Sequence, residues 1–180
     1  MKKLTFLCLL VLLSCGQIED KNLDPNEVSF ATTDASKLFF KNTRQLQYDL
    51  ENLEQAKLEV YRWGEVLNDE LPQIHIALVN NWRYDEAYLL LEPNNLIPSL
   101  NEMKLKWNIS ETAENGEIAF VPGNKTEHAR FAGQVYVKLK QKAQFEIWIN
   151  EKWVAVLTEP ESRKAFETTV YDFYRLTERL

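Results

Sequence analysis

Cysteine is almost missing from these 180 residues. Only Cys8 and Cys15 occur, both near the amino end. No disulfide can staple the body of the chain. A thiol nucleophile or a zinc–thiolate centre is excluded there for the same reason. Glycine is scarce: four follow Gly16, and none belongs to a phosphate-cradling loop. The two histidines, His75 and His128, sit in separate segments without HxH or HExxH spacing, so no metal site is expected. No G-x-S-x-G or S-x-x-K pattern marks an activated serine. Cofactor motifs are missing too, and none is expected to bind. No apolar run reaches the length that crosses a bilayer as a helix. The longest, Leu4 to Leu13, is about half that length.

Positive charge is also in deficit. There are 21 Lys and Arg against 27 Asp and Glu, a net charge of -6. A balance of that sign argues against nucleic acid, whose phosphates need a basic face. It equally disfavours a charge-driven contact with anionic lipid. Acids are abundant, yet no spacing singles out the facing pair that a carboxylate-based glycan hydrolase needs. A catalytic role is therefore not expected.

What is present begins at the first residue. Lys2-Lys3 precede the apolar run, which ends in Leu12-Leu13-Ser14-Cys15-Gly16. A positive start, a short apolar stretch and a small residue before cysteine form an export signal. The end of this segment resembles the lipobox of bacterial lipoproteins. That resemblance implies cleavage after residue 14 and diacylation of Cys15. Two acyl chains are what stable anchoring takes, at ~0.8 kcal/mol per buried methylene. Removing Lys2 and Lys3 leaves 19 basic against 27 acidic residues, or -8. The next residues, Gln17, Glu19 and Asp20, resemble the export signal of surface-displayed lipoproteins of the Bacteroidota. The resemblance implies an outer-membrane protein facing the cell surface rather than the periplasm.

Residues 15–35 read as the lipidated end and a polar tether, and residues 36–180 as one globular domain. Its expected class is α+β: an antiparallel sheet or small sandwich of about seven strands, with a C-terminal amphipathic helix packed on it. Residues 57–63 alternate as a strand. Residues 43–56 fit either helix or strand. In residues 73–92 a hairpin turning at Asp85-Glu86 gathers Ile74, Ile76, Leu78, Trp82, Tyr84, Leu89 and Leu91 on one face. Met103, Leu105, Trp107 and Ile109 alternate with polar residues, and Asn115-Gly116 then reads as a hairpin turn. Val135, Val137 and Leu139 alternate in turn and predict a strand entering a third hairpin. That hairpin turns at Asn150-Glu151, with Ile147 facing Val154 and Trp148 facing Trp153. Thr158 and Glu161 read as a capping box. Phe166, Val170, Phe173, Thr177 and Leu180 then give one apolar helical stripe.

Tyr136, Trp148 and Trp153 are the candidate binding residues. They are expected on the sheet face opposite the core, where either the C-terminal helix or a loop covers them or they stay open to solvent. An exposed aromatic patch suits a protein contact or stacking on a sugar ring. The leading expectation is a non-catalytic envelope lipoprotein that binds another envelope protein. A carbohydrate-binding lipoprotein comes second and a glycan hydrolase third.

Overall fold

The computed structural model describes residues 23–64 and 70–179. Cys15, Gln17, Glu19 and Asp20 lie outside the described residues. Eight strands form two antiparallel sheets of four. The first sheet, β1 (Tyr48–Leu53), β2 (Leu58–Trp63), β3 (Ile74–Asn81) and β4 (Glu86–Pro93), is a simple meander. The second has the order β6-β5-β7-β8, from β5 (Lys104–Ile109), β6 (Glu114–Ala119), β7 (Gln144–Ile149) and β8 (Lys152–Val156). Among the described residues three α-helices accompany the sheets: α1 (Asp34–Thr43), α2 (Lys125–Lys140) and α3 (Pro160–Leu176).

One core serves all of it. Ile76, Leu78, Leu89 and Leu91 of the first sheet share a buried cluster with Leu105, Phe145 and Ile147 of the second. Phe131 and Val135 of α2 join it, as do Phe166, Val170 and Phe173 of α3. Phe166, Val170, Phe173 and Thr177 of the expected C-terminal stripe are thus buried where they were placed, while Leu180 lies outside the described residues. A smaller cluster, Val60, Ala77 and Val79, lies on the other face of the first sheet.

Turn chemistry differs from the sequence reading in two places. The β3–β4 hairpin pairs Asn81 with Glu86, so its loop is Trp82 to Asp85. Asp85 takes the left-handed conformation that closes a four-residue loop. The alternation of β3 and β4 is as read, but Trp82 and Tyr84 are exposed loop residues rather than core. The β5–β6 hairpin pairs Ile109 with Glu114 and turns at Ser110 to Ala113. Asn115-Gly116 is strand, not turn. Gly116 faces Trp107, and a Cβ there would sit 2.8 Å from the indole. The glycine serves close approach, a role that its sequence neighbourhood does not announce.

Residues 125–140 carry the largest correction. The expected strand at 135–140 is the end of α2. Three alternating apolar residues fit a period of two, but Ala129, Ala132 and Tyr136, with Phe131, Val135 and Leu139, recur at helical spacing. Asn124 caps the start, its Oδ1 accepting from Thr126 N–H at 2.9 Å. At α3 the expected capping box is not formed. Glu159 is the N-cap without a side-chain bond, because Leu157 turns the chain through positive φ. The unsettled segment resolves into a short 3-10 turn at Gln45–Gln47 followed by β1.

The tether also ends earlier than residue 35. Leu23, Val28 and Phe30 pack on the core, and Ala31 bridges Glu86. Ser36 Oγ donates to the Leu176 carbonyl, and Thr33 caps α1. The two ends of the described chain are therefore tied to each other.

His128 sits on α2. Its Nδ1 accepts the Leu91 N–H of β4 at 3.1 Å, with Phe120 edge-on to the ring. Only a neutral imidazole offers that acceptor. Burial holds its pKa below the ordinary 6.5. A depressed base supports the fold fully above pH 6.5 and loses that support as pH falls through its folded pKa. His128→Ala is expected to cost about 1–3 kcal/mol at neutral pH, because a buried N–H loses its partner. His128→Asn keeps an acceptor and should recover most of this loss. It should also remove the acid-side component of a stability–pH profile measured by urea unfolding. A difference between wild type and the Asn variant that stays constant from pH 7.5 to pH 5 rules out this role.

Candidate functional site

The third hairpin builds the site. Asn150 and Glu151 both take positive φ, the two-residue turn whose twist matches that of its strands. It sets the register Phe145–Val156, Ile147–Val154 and Trp148–Trp153. Ile147 and Val156 go inward, so period two sends Trp148 and Trp153 to the opposite face. No helix of the described residues packs on that face. Trp148 is 42% exposed and Trp153 half-buried. Their rings meet at 5.1 Å between centroids with planes tilted by 58°.

Charge is arranged around this pair by strand order. Lys106, Glu117 and Glu146 form one row across β6, β5 and β7, with the lysine between the two acids. Lys106 Nζ also stands 4.0 Å from the centre of the Trp153 ring, a cation–π contact. An open groove of about 710 Å³ continues along the same side. Asn108, Gln144, Glu146, Ala155, Thr158 and Arg163 are among its lining residues. The face is thus aromatic at one end and rich in hydrogen-bonding groups at the other. A hydrolase would need two carboxyl groups facing each other across a cleft. Glu117 and Glu146 instead lie two strands apart on an open sheet, with Lys106 between them.

Tyr136 does not belong here. It is 4% exposed on α2, a consequence of the helix that replaces the expected strand. The sequence thus located two of the three aromatic residues. It missed Lys106, whose place beside Trp153 follows from β5 lying next to β7, a pairing that no local pattern encodes.

A second concavity, about 110 Å³, opens where β2 and β3 diverge beyond Arg62 and Ala77. Trp63, Ile74, Ile76 and Phe166 supply its apolar walls. At its rim Arg62 grips both oxygens of Glu92 at 2.7 and 2.8 Å and Glu51 at 2.7 Å. These acids raise the guanidinium pKa further, so the arginine is a structural clamp.

Among the described residues no group of three or more His, Cys, Asp or Glu side chains is placed to hold a metal ion. No helix among them is long and apolar enough to cross a membrane. The chain is an α+β protein of two four-stranded antiparallel sheets with helices on a shared core. No protein family, curated protein or solved structure matches it.

Proposed function

We propose that this chain is a bacterial lipoprotein, held at the outer membrane through acylated Cys15 and displayed at the cell surface. It acts there without catalysis, by binding another envelope protein through the outer face of its second sheet. The observation that carries the anchor is the ordered N-terminal signal, from Lys2-Lys3 to Leu12-Leu13-Ser14-Cys15. What supports the binding role is the pair of exposed Trp148 and half-buried Trp153 on a sheet face that no helix of the described residues covers. Aromatic residues are over-represented among the anchors of protein interfaces.

Cys15→Ser tests the anchor. Cells fed a clickable fatty acid should label the wild type and leave the variant blank. Cell fractionation should move the variant from the membrane to the soluble pool. An unlabelled wild type, or a variant labelled equally, defeats the proposal. Protease added to intact cells should remove the domain; full protection argues for the periplasmic side. Trp148→Ala with Trp153→Ala should then abolish partner crosslinking from otherwise normal cells.

The polar groove beside the pair favours a second reading, a glycan ligand, because amide and carboxylate groups beside an aromatic ring suit sugar hydroxyls. Glycan-array binding that disappears in Trp148→Ala selects this alternative over the protein partner.

A further inference from the structure

An edge strand leaves a row of N–H and C=O groups unpaired, and an unguarded edge is a template for another strand. The two sheets have four edges: β1, β4, β6 and β8. Three are guarded. Exposed Asp49 and Glu51 lie on β1, and exposed Glu114 and Glu117 on β6. Along β4, the Phe30 carbonyl accepts from Ala87 N–H at 2.8 Å and His128 accepts from Leu91 N–H. The β8 edge, Lys-Trp-Val-Ala-Val, has neither acid nor proline; its one charge, Lys152, sits at the turn end, and its register with β7 is unbroken. Trp153 and Val154 are half-buried and Ala155 is exposed. No other strand of the described residues pairs with it.

The hairpin also fixes which groups point outward. The pair that closes a two-residue loop, here Ile149 and Lys152, is hydrogen-bonded, and the pattern alternates from there. The main-chain groups of Trp153 and Ala155 therefore face away from β7.

We propose that β8 is a self-association edge, where two copies of this chain pair antiparallel about a two-fold axis through Val154. In that register Trp153 and Ala155 of one copy exchange hydrogen bonds with Ala155 and Trp153 of the second. A large residue lies opposite a small one, Lys152 opposite Val156, and no like charges meet. The two acidic edges, β1 and β6, fare worse in their central registers. A two-fold through Leu50 of β1 sets Asp49 against Glu51, and one between Asn115 and Gly116 of β6 sets Glu114 against Glu117. Like charges directly opposed are destabilising. Pairing through β8 fuses the second sheets into one. It brings two Trp148–Trp153 pairs onto a single outer face and doubles the binding surface.

The test uses the full chain in intact cells. The two copies of Val154 form a directly opposed, non-hydrogen-bonded pair, with Cβ atoms ~4.5–5.5 Å apart. Val154→Cys is then close to disulfide geometry. Under mild oxidation it should give a reducible band at twice the chain mass, about tenfold stronger than Lys104→Cys on the exposed face, which reports random collision. The wild-type chain sets the background from Cys8 and Cys15. Adding Ala155→Pro removes an N–H that the single chain does not use. It should reduce the crosslink about tenfold without lowering the melting temperature. Sedimentation of the full chain in detergent gives a second reading, with a dimer fraction that rises with concentration. Equal crosslinking by both cysteine variants, an adduct to a different protein alone, or a monomer up to about 1 mM overturns the proposal. Fatty-acid labelling of Cys15 is unaffected by any of these results, so the two proposals fail separately.

Discussion

Asp172→Ala should lower the unfolding free energy by about 3 kcal/mol, in the range found when one partner of a buried ion pair is removed. The Asp172 side chain is fully buried on α3. Its carboxylate accepts from Arg44 Nε at 2.8 and 3.1 Å and from the Tyr48 hydroxyl at 2.6 Å. Burial pushes its pKa above the usual carboxylate range, while the tyrosine and arginine bonds pull the other way. The alanine variant strands a buried tyrosine hydroxyl and a guanidinium 26% exposed. That partial exposure keeps the expected cost at the lower end of the range. Asp172→Asn retains an acceptor for Tyr48 and should lose about half as much. Urea unfolding at pH 7 measures both. A loss below about 1 kcal/mol for the alanine variant would show that Arg44 and Tyr48 find other partners.

Gly133→Ala is expected to destabilise by about 1–2 kcal/mol, although alanine is the better helix former by about 1 kcal/mol. The added Cβ would lie 2.4 Å from the Tyr174 hydroxyl and 3.1 Å from Pro25 Cβ. Tyr174 is fully buried, so its ring has nowhere to swing. Overpacking therefore outweighs propensity. The hydroxyl has no hydrogen-bond partner among the described residues, and burial raises its pKa to about 12. Tyr174→Phe should thus be tolerated, and in that background Gly133→Ala should turn neutral or stabilising. A double-mutant cycle by thermal unfolding reads the coupling. Additive effects of the two substitutions would contradict the contact.

Both substitutions act on contacts that no window of sequence contains. Arg44 and Asp172 lie at opposite ends of the chain. Gly133 sits mid-helix, where glycine is disfavoured, and its reason is a ring from another helix. Gly116 is parallel: its pairing with asparagine imitates a hairpin turn, while its cause is the indole of Trp107 one strand away. Where a residue answers to a distant partner, local grammar misleads.

The third hairpin shows the opposite case. Alternation and a two-residue turn fixed its register, and with it the side of the sheet on which Trp148 and Trp153 stand. A shift of one residue would have buried them, so burial of Ile147 and Val156 chose their face. The apolar stripe of α3 was legible for a similar reason, since seventeen residues give the helical period room to show. At 135–140 only three alternating residues were available, too few to separate a strand from the end of α2.

By itself, then, the sequence determined the class of fold, the strand face that Trp148 and Trp153 share, and an amino end that resembles a lipid-anchor signal; whether that face is open was decided by the tertiary structure. Those rest on period, on turn residues and on short ordered motifs, all of which act between near neighbours. Tertiary structure alone decided that β5 lies beside β7, that Lys106 stands over Trp153, and that Tyr136 is buried. It also decided that β8 is an edge with no further strand partner among the described residues. Strand order and helix docking depend on which apolar surfaces meet across the whole core, and that choice is made by the sum of distant contacts rather than by any one segment.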